Sequence, residues 1–166
     1  RPAIDVARIL ALALVVLAAG GAVAQWRLTP GGTRSNYGMS EISGAAFEPD
    51  PLRVQVTSGG NLAIGAMHLG PGCVGHAMAV PDHILRYSEP GALLRFYVRA
   101  NGGDATLVVH TPEGRWLCDD DSGLGSDPMI DLESPPAGSY DIWVGSYRAD
   151  QQLRAALLVS GGRQIP

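Results

Sequence analysis

Lysine is missing from this chain of 166 residues: all 12 basic residues are arginine, set against 16 acidic ones. The net charge of −4 comes with no basic cluster, so the chain lacks the face that phosphate neutralisation requires. Nucleic acid is excluded as a partner. Cysteine is nearly missing too, with only Cys73 and Cys118. Two thiolates cannot build a tetrahedral zinc site alone. The histidines His68, His76, His83 and His110 show no HxxxH spacing, and no CxxC occurs, that would complete one. After residue 25 no amphipathic 3.6-residue period lasts long enough for a useful helix; 150–159 comes nearest, and its β-branched end weakens it. Aromatics are few, at 6%. Glycine (22) and proline (12) are plentiful, the balance of short strands joined by many turns.

Long apolar runs are also lacking, with one exception. Residues 9–19 are unbroken apolar, preceded by Arg1 and Arg8 and followed by Ala22-Val23-Ala24, the small-x-small pattern read by signal peptidase. The run is shorter than the ~20 apolar residues a membrane-spanning helix needs. It has no polar face or caps to suit a buried core helix. Residues 1–24 therefore read as a cleavable signal-peptide helix, with a retained anchor as the alternative. The remainder is expected to be exported, to the periplasm or the medium, with no membrane contact after cleavage. A chain that opens on Arg1 and not Met is expected to extend upstream. In an oxidising compartment the even pair Cys73 and Cys118 is expected to form a disulfide; two free buried thiols are the alternative.

Residues 25–50 are rich in Gly, Ser, Pro and Asn without a sustained period, and read as a lead-in segment, partly disordered near its start. The domain proper is expected at 51–161, with 162–166 as a tail. Strand patterns with turn signals between them recur at 52–57, 84–87, 93–98, 106–110, 115–118, 129–132, 139–147 and 153–160, with a weaker one at 61–69. The pair 106–110 and 115–118 reads as a hairpin around Pro112 and Gly114. In 139–147, Tyr140, Ile142 and Val144 share one face, and Asp141, Trp143 and Gly145 the other. Eight or nine short strands in one domain make an all-β sandwich or jelly roll.

The stretch 104–144, DATLVVHTPEGRWLCDDDSGLGSDPMIDLESPPAGSYDIWV, resembles the bacterial pre-peptidase C-terminal domain. The shared elements are a D-x-x-L strand at 104–107, a P-x-G turn at 112–114, an acidic loop at 119–127, an apolar strand at 129–132 and a G-x-Y strand at 138–140. CDDDSG after a tryptophan, with an upstream PD-x-x-L-x-Y at 81–87, is similar to small secreted forms of that domain. The resemblance implies a β-sandwich of jelly-roll type, exported, of a kind usually appended to secreted hydrolases. Some of its members are calcium-binding, substrate-targeting modules. Within these 166 residues no peptidase domain precedes the match.

Three constellations carry chemistry. Asp121-Ser122-Gly123 has the D-S-G form of a serine-peptidase nucleophile. It lacks the preceding glycine, a histidine in a matching context, and a chain long enough for two barrels, so it reads as a turn. Asp119, Asp120 and Asp121, with Asp127 nearby, could supply oxygen ligands to Ca²⁺, though not in EF-hand spacing; the alternative is a solvated acidic turn. Trp116, Trp143 and Tyr147 could form an aromatic binding surface; the alternative packs the tryptophans into the core. These features point to a non-catalytic binding or accessory module for a protein or polysaccharide in the envelope or medium. A secreted hydrolase and a structural envelope protein are the alternatives.

Overall fold

The computed structural model describes residues 26–44 and 46–163, so the expected signal peptide at 1–24 lies outside the described residues. Among the described residues eleven strands, against the expected eight or nine, form two sheets that stack as a β-sandwich. In the larger sheet β10 (Gly138–Ser146) is the axis. Along one side it pairs with β7 (Ala105–His110), which pairs in turn with β8 (Trp116–Asp119) as the expected hairpin. Along the other side it pairs with β5 (His83–Ser88) and, at Ser146, with β4 (His76–Ala77). Beyond β5 lies β1 (Met39–Ser43), the one parallel partner; beyond β4 lies β3 (Leu62–Ala63). The smaller sheet runs β2 (Leu52–Thr57), β11 (Arg154–Ser160), β6 (Leu93–Ala100), β9 (Met129–Glu133). Among the described residues no helix is long and apolar enough to cross a membrane.

The two-residue period of each strand decides what is buried. Tyr140, Ile142 and Val144 of β10 meet Leu94, Phe96 and Val98 of β6 and Leu157 and Val159 of β11 in the core between the sheets. The other face of the larger sheet is not left to solvent. Trp143, Val108 and Cys118 lie side by side across β10, β7 and β8, as their register shows. Leu28, Leu62, Ile64, Cys73 and Ala77 cover them in a second apolar cluster. The disulfide Cys73–Cys118, 45 residues apart in sequence, staples this covering segment to the sheet.

Two elements depart from expectation. Residues 25–50, read as a lead-in, contribute β1 and bury Leu28 and Ile42. An edge strand with a solvated side needs few apolar residues, so MSEIS carries almost no alternation. The weak pattern at 61–69 resolves into β3 and a 3-10 turn, Ile64–Met67, ended by His68 at φ 55°.

Candidate functional site

The acidic loop after β8 is the strongest site in the sequence, and its geometry decides its role. Asp119 closes β8, and both of its carboxylate oxygens are engaged. Oδ2 accepts the N–H groups of Ser122 (2.9 Å) and Met129 (2.8 Å), and Oδ1 accepts the Ser122 hydroxyl at 2.6 Å. Asp127 accepts the N–H of Ala100 at 3.1 Å, and its other oxygen lies 3.7 Å from the Arg99 guanidinium. The loop closes on itself where the Gly123 N–H donates to the Asp127 carbonyl, 2.8 Å away. A side chain at Gly123 would stand 2.5 Å from that carbonyl oxygen, which is why glycine sits there.

Asp120 is pushed above the usual carboxylate range by burial and then by Asp121, Asp119 and Asp104. Burial and then Asp121 raise Asp104 in the same way, with Arg148 opposing. The four carboxylates expected to hold Ca²⁺ divide: Asp120 feels the charges of Asp121 and Asp119, while Asp127 turns to Ala100 and Arg99. Two bind backbone amides, and among the described residues no group of three His, Cys, Asp or Glu is placed to hold a metal. Of the four residues expected to hold Ca²⁺, Asp119 and Asp127 thus serve as acceptors for N–H groups that fix the loop.

Ser122 stands inside the same turn, and its hydroxyl hydrogen is given to a carboxylate. The histidines stand elsewhere. His83 is buried in β5, where burial holds its pKa below the ordinary value against opposing hydrogen bonds at Tyr37 and Gly38. Its ring nitrogens meet the Tyr37 carbonyl (3.3 Å) and the Ser40 hydroxyl (3.1 Å), binding β1 to the sheet. His110 packs against the Trp116 ring, 4.5 Å between centroids, and lies 3.8 Å from Asp141.

The aromatic surface expected from Trp116, Trp143 and Tyr147 does not form. Trp143 is fully buried, its indole N–H donating to the Ala79 carbonyl at 3.3 Å. Trp116 is half-buried beside it, 5.5 Å between centroids, while Tyr147 is exposed beyond the end of β10. Alternation placed Trp143 opposite the core correctly. The covering segment 62–79 then buried that second face.

A site the sequence reading missed lies where four connections meet at one end of the sandwich. Two adjoining depressions of about 400 and 280 Å³ share Met78 and Gln152. Tyr37 and Asn36 come from the approach to β1, Ser58 to Asn61 from the β2–β3 turn, Met78 and Asp82 from the β4–β5 connection, and Asp150 to Gln152 from the β10–β11 loop. The floor is fixed by hydrogen bonds. Asp82 accepts the Val144 N–H (2.7 Å) and the Asn36 amide (3.0 Å), and Ser58 meets Ser146 through their hydroxyls at 2.7 Å. Gly59, at φ 93°, donates its N–H to the Val144 carbonyl; a Cβ there would stand 2.2 Å from the Gln151 carbonyl oxygen. Burial drives Asp82 up to about 6, against the lowering effect of its two hydrogen bonds. No motif announces this site, because its members are scattered over more than a hundred residues.

No family model and no curated protein matches the chain. Among solved structures it is similar to the pre-peptidase C-terminal domain of a collagenase from Bacillus anthracis, at 13% identity over 74% of this chain and 94% of that one, TM-score 0.42. It is also similar to PliG of Aeromonas hydrophila, a periplasmic lysozyme inhibitor of g-type lysozyme, at 16% identity over 74% and 96%, TM-score 0.37. The first is the domain type that residues 104–144 resemble in sequence. Neither likeness carries a ligand or a partner over to this chain.

Proposed function

We propose that this chain is an exported, non-catalytic β-sandwich module that binds a partner in the periplasm or outside the cell. One observation carries the non-catalytic half: Ser122, the sequence's best nucleophile, donates its hydroxyl hydrogen to Asp119 within a local turn. A nucleophilic serine needs a base that takes its proton and donors that stabilise an oxyanion. Here carboxylates crowd the hydroxyl, and a negative charge developing beside them would be repelled. Export is supported by the leader pattern at 1–24 and by a disulfide that a reducing cytosol would not keep. The test is exposure of the folded protein to a fluorophosphonate probe, read by intact mass. The expected result is no adduct. An adduct lost in Ser122→Ala would overturn the reading in favour of a hydrolase.

A further inference from the structure

The groove rimmed by Tyr37, Met78 and Gln152 has the chemistry of a sugar site. We infer that it binds a segment of a neutral polysaccharide, an inference that rests on the reading of the chain as an exported binding module. Three observations support it.

The first is charge. Among the described residues the groove is lined by no arginine or histidine, although the chain carries 12 and four of these, while two carboxylates, Asp82 and Asp150, are present. An anionic ligand would find no cationic side chain to pair with. A neutral chain of hydroxyls finds acceptors and donors.

The second is the kind of polar group. Asn36, Asn61, Gln151 and Gln152 line the groove together with the two carboxylates. Asp82 and the Asn36 amide are bonded to each other in the floor, so the planar groups left to present paired oxygens and N–H groups to adjacent ring hydroxyls are those of Asn61, Asp150 and Gln152. The Oε1 of Gln151 is buried and has no hydrogen-bond partner among the described residues. Tyr37 and Met78, 37% and 43% exposed, add the apolar contact that the C–H face of a sugar ring seeks.

The third is rigidity. Sugar ligands are hydrated and bind weakly unless the protein is already in the bound shape. The Ser58–Ser146, Gly59–Val144 and Asp82–Val144 hydrogen bonds hold the floor to β10 before any ligand arrives. The side chains at the rim are left free to contact a partner.

The experiment is calorimetric titration of the intact domain with three hexasaccharides: β-1,4-linked glucose, β-1,4-linked N-acetylglucosamine, and the anionic α-1,4-linked galacturonate. Binding of at least one neutral hexasaccharide is expected, with none of the galacturonate. Tyr37→Ala and Gln152→Ala should each weaken that binding roughly tenfold or more, at unchanged melting midpoint, since both side chains are exposed. Silence with both neutral sugars, preference for the anionic one, or affinity untouched by both substitutions would overturn the groove assignment and leave the non-catalytic reading standing. Recovery of a shortened sugar would overturn the non-catalytic reading and leave the groove assignment standing.

Discussion

Two polar loop clusters flank the same end of the larger sheet, and they have opposite fates. The register Asp119, Leu107, Val144 across β8, β7 and β10 sets the acidic loop on one side. Asp82, bonded to the same Val144 from the β4–β5 connection, sets the groove on the other. In the acidic loop Asp119 and Asp127 turn onto backbone amides of the loop itself and of the strands beside it. In the groove the floor is just as firmly bonded, but the rim residues Tyr37, Met78 and Gln152 are exposed. A run of carboxylates in a sequence does not say which of them the fold uses as acceptors; here Asp119 and Asp127 are used so. What matters is whether the fold has already used their lone pairs.

The largest effect is expected from loosening the covering segment that the disulfide staples to the larger sheet. Cys73→Ala with Cys118→Ala removes the closure of a 45-residue loop, and about 4 kcal/mol of stability should go with it on the chain-entropy account. Urea melts of the variant and the parent check the figure. Next comes pH. Asp82 has its folded pKa raised from 3.8 to about 6, so its contribution to stability is fully present below pH 3.8 and is lost as pH rises through 6. The loss is about 3 kcal/mol at most. Asp82→Asn should flatten that part of the stability profile, whatever it does to stability at a single pH. Denaturant midpoints at pH 4, 5, 6 and 7 measure the slope, and an unchanged slope would remove Asp82 from the account. The smallest effect is expected at Ser122→Ala, which gives up one exposed hydrogen bond to Asp119. It should cost below about 1 kcal/mol and leave ligand binding intact, as thermal melts and titration would show.

The sandwich was legible because its strands carry strong alternation. LRVQVT at 52–57 and SYDIWVGS at 139–146 each have one side facing the inter-sheet core, and the fold used that side. Strands that lean on little apolar surface were not legible. β1 is held by pairing to β5 and by His83, and β4 is two residues long beside β10. Packing of the tryptophans into the core was one of the two readings, and the fold takes it for Trp143. Alternation tells which face a residue is on, whereas the cover over that face comes from 62–79, whose own pattern is broken by a 3-10 turn. The disulfide could be read because only one pairing exists. The acidic loop was visible as composition, but the three hydrogen bonds that Asp119 accepts depend on where Met129 and Ser122 lie in space.

The central claim is that Asp119 clamps the acidic loop through its hydrogen bonds while the proposed binding surface is the groove. Thermal melts of the parent, Asp119→Ala and Tyr37→Ala, each in EDTA and in millimolar Ca²⁺, test it most directly. Asp119→Ala frees the Met129 N–H and opens the turn at Ser122, which should cost about 2 kcal/mol. That is a fall of roughly 4–8 °C for a domain of this size, and it should be the same with and without calcium. Tyr37→Ala should melt with the parent. A parent midpoint raised by Ca²⁺, with that rise abolished by Asp119→Ala, would contradict the account and make the acidic loop a metal site.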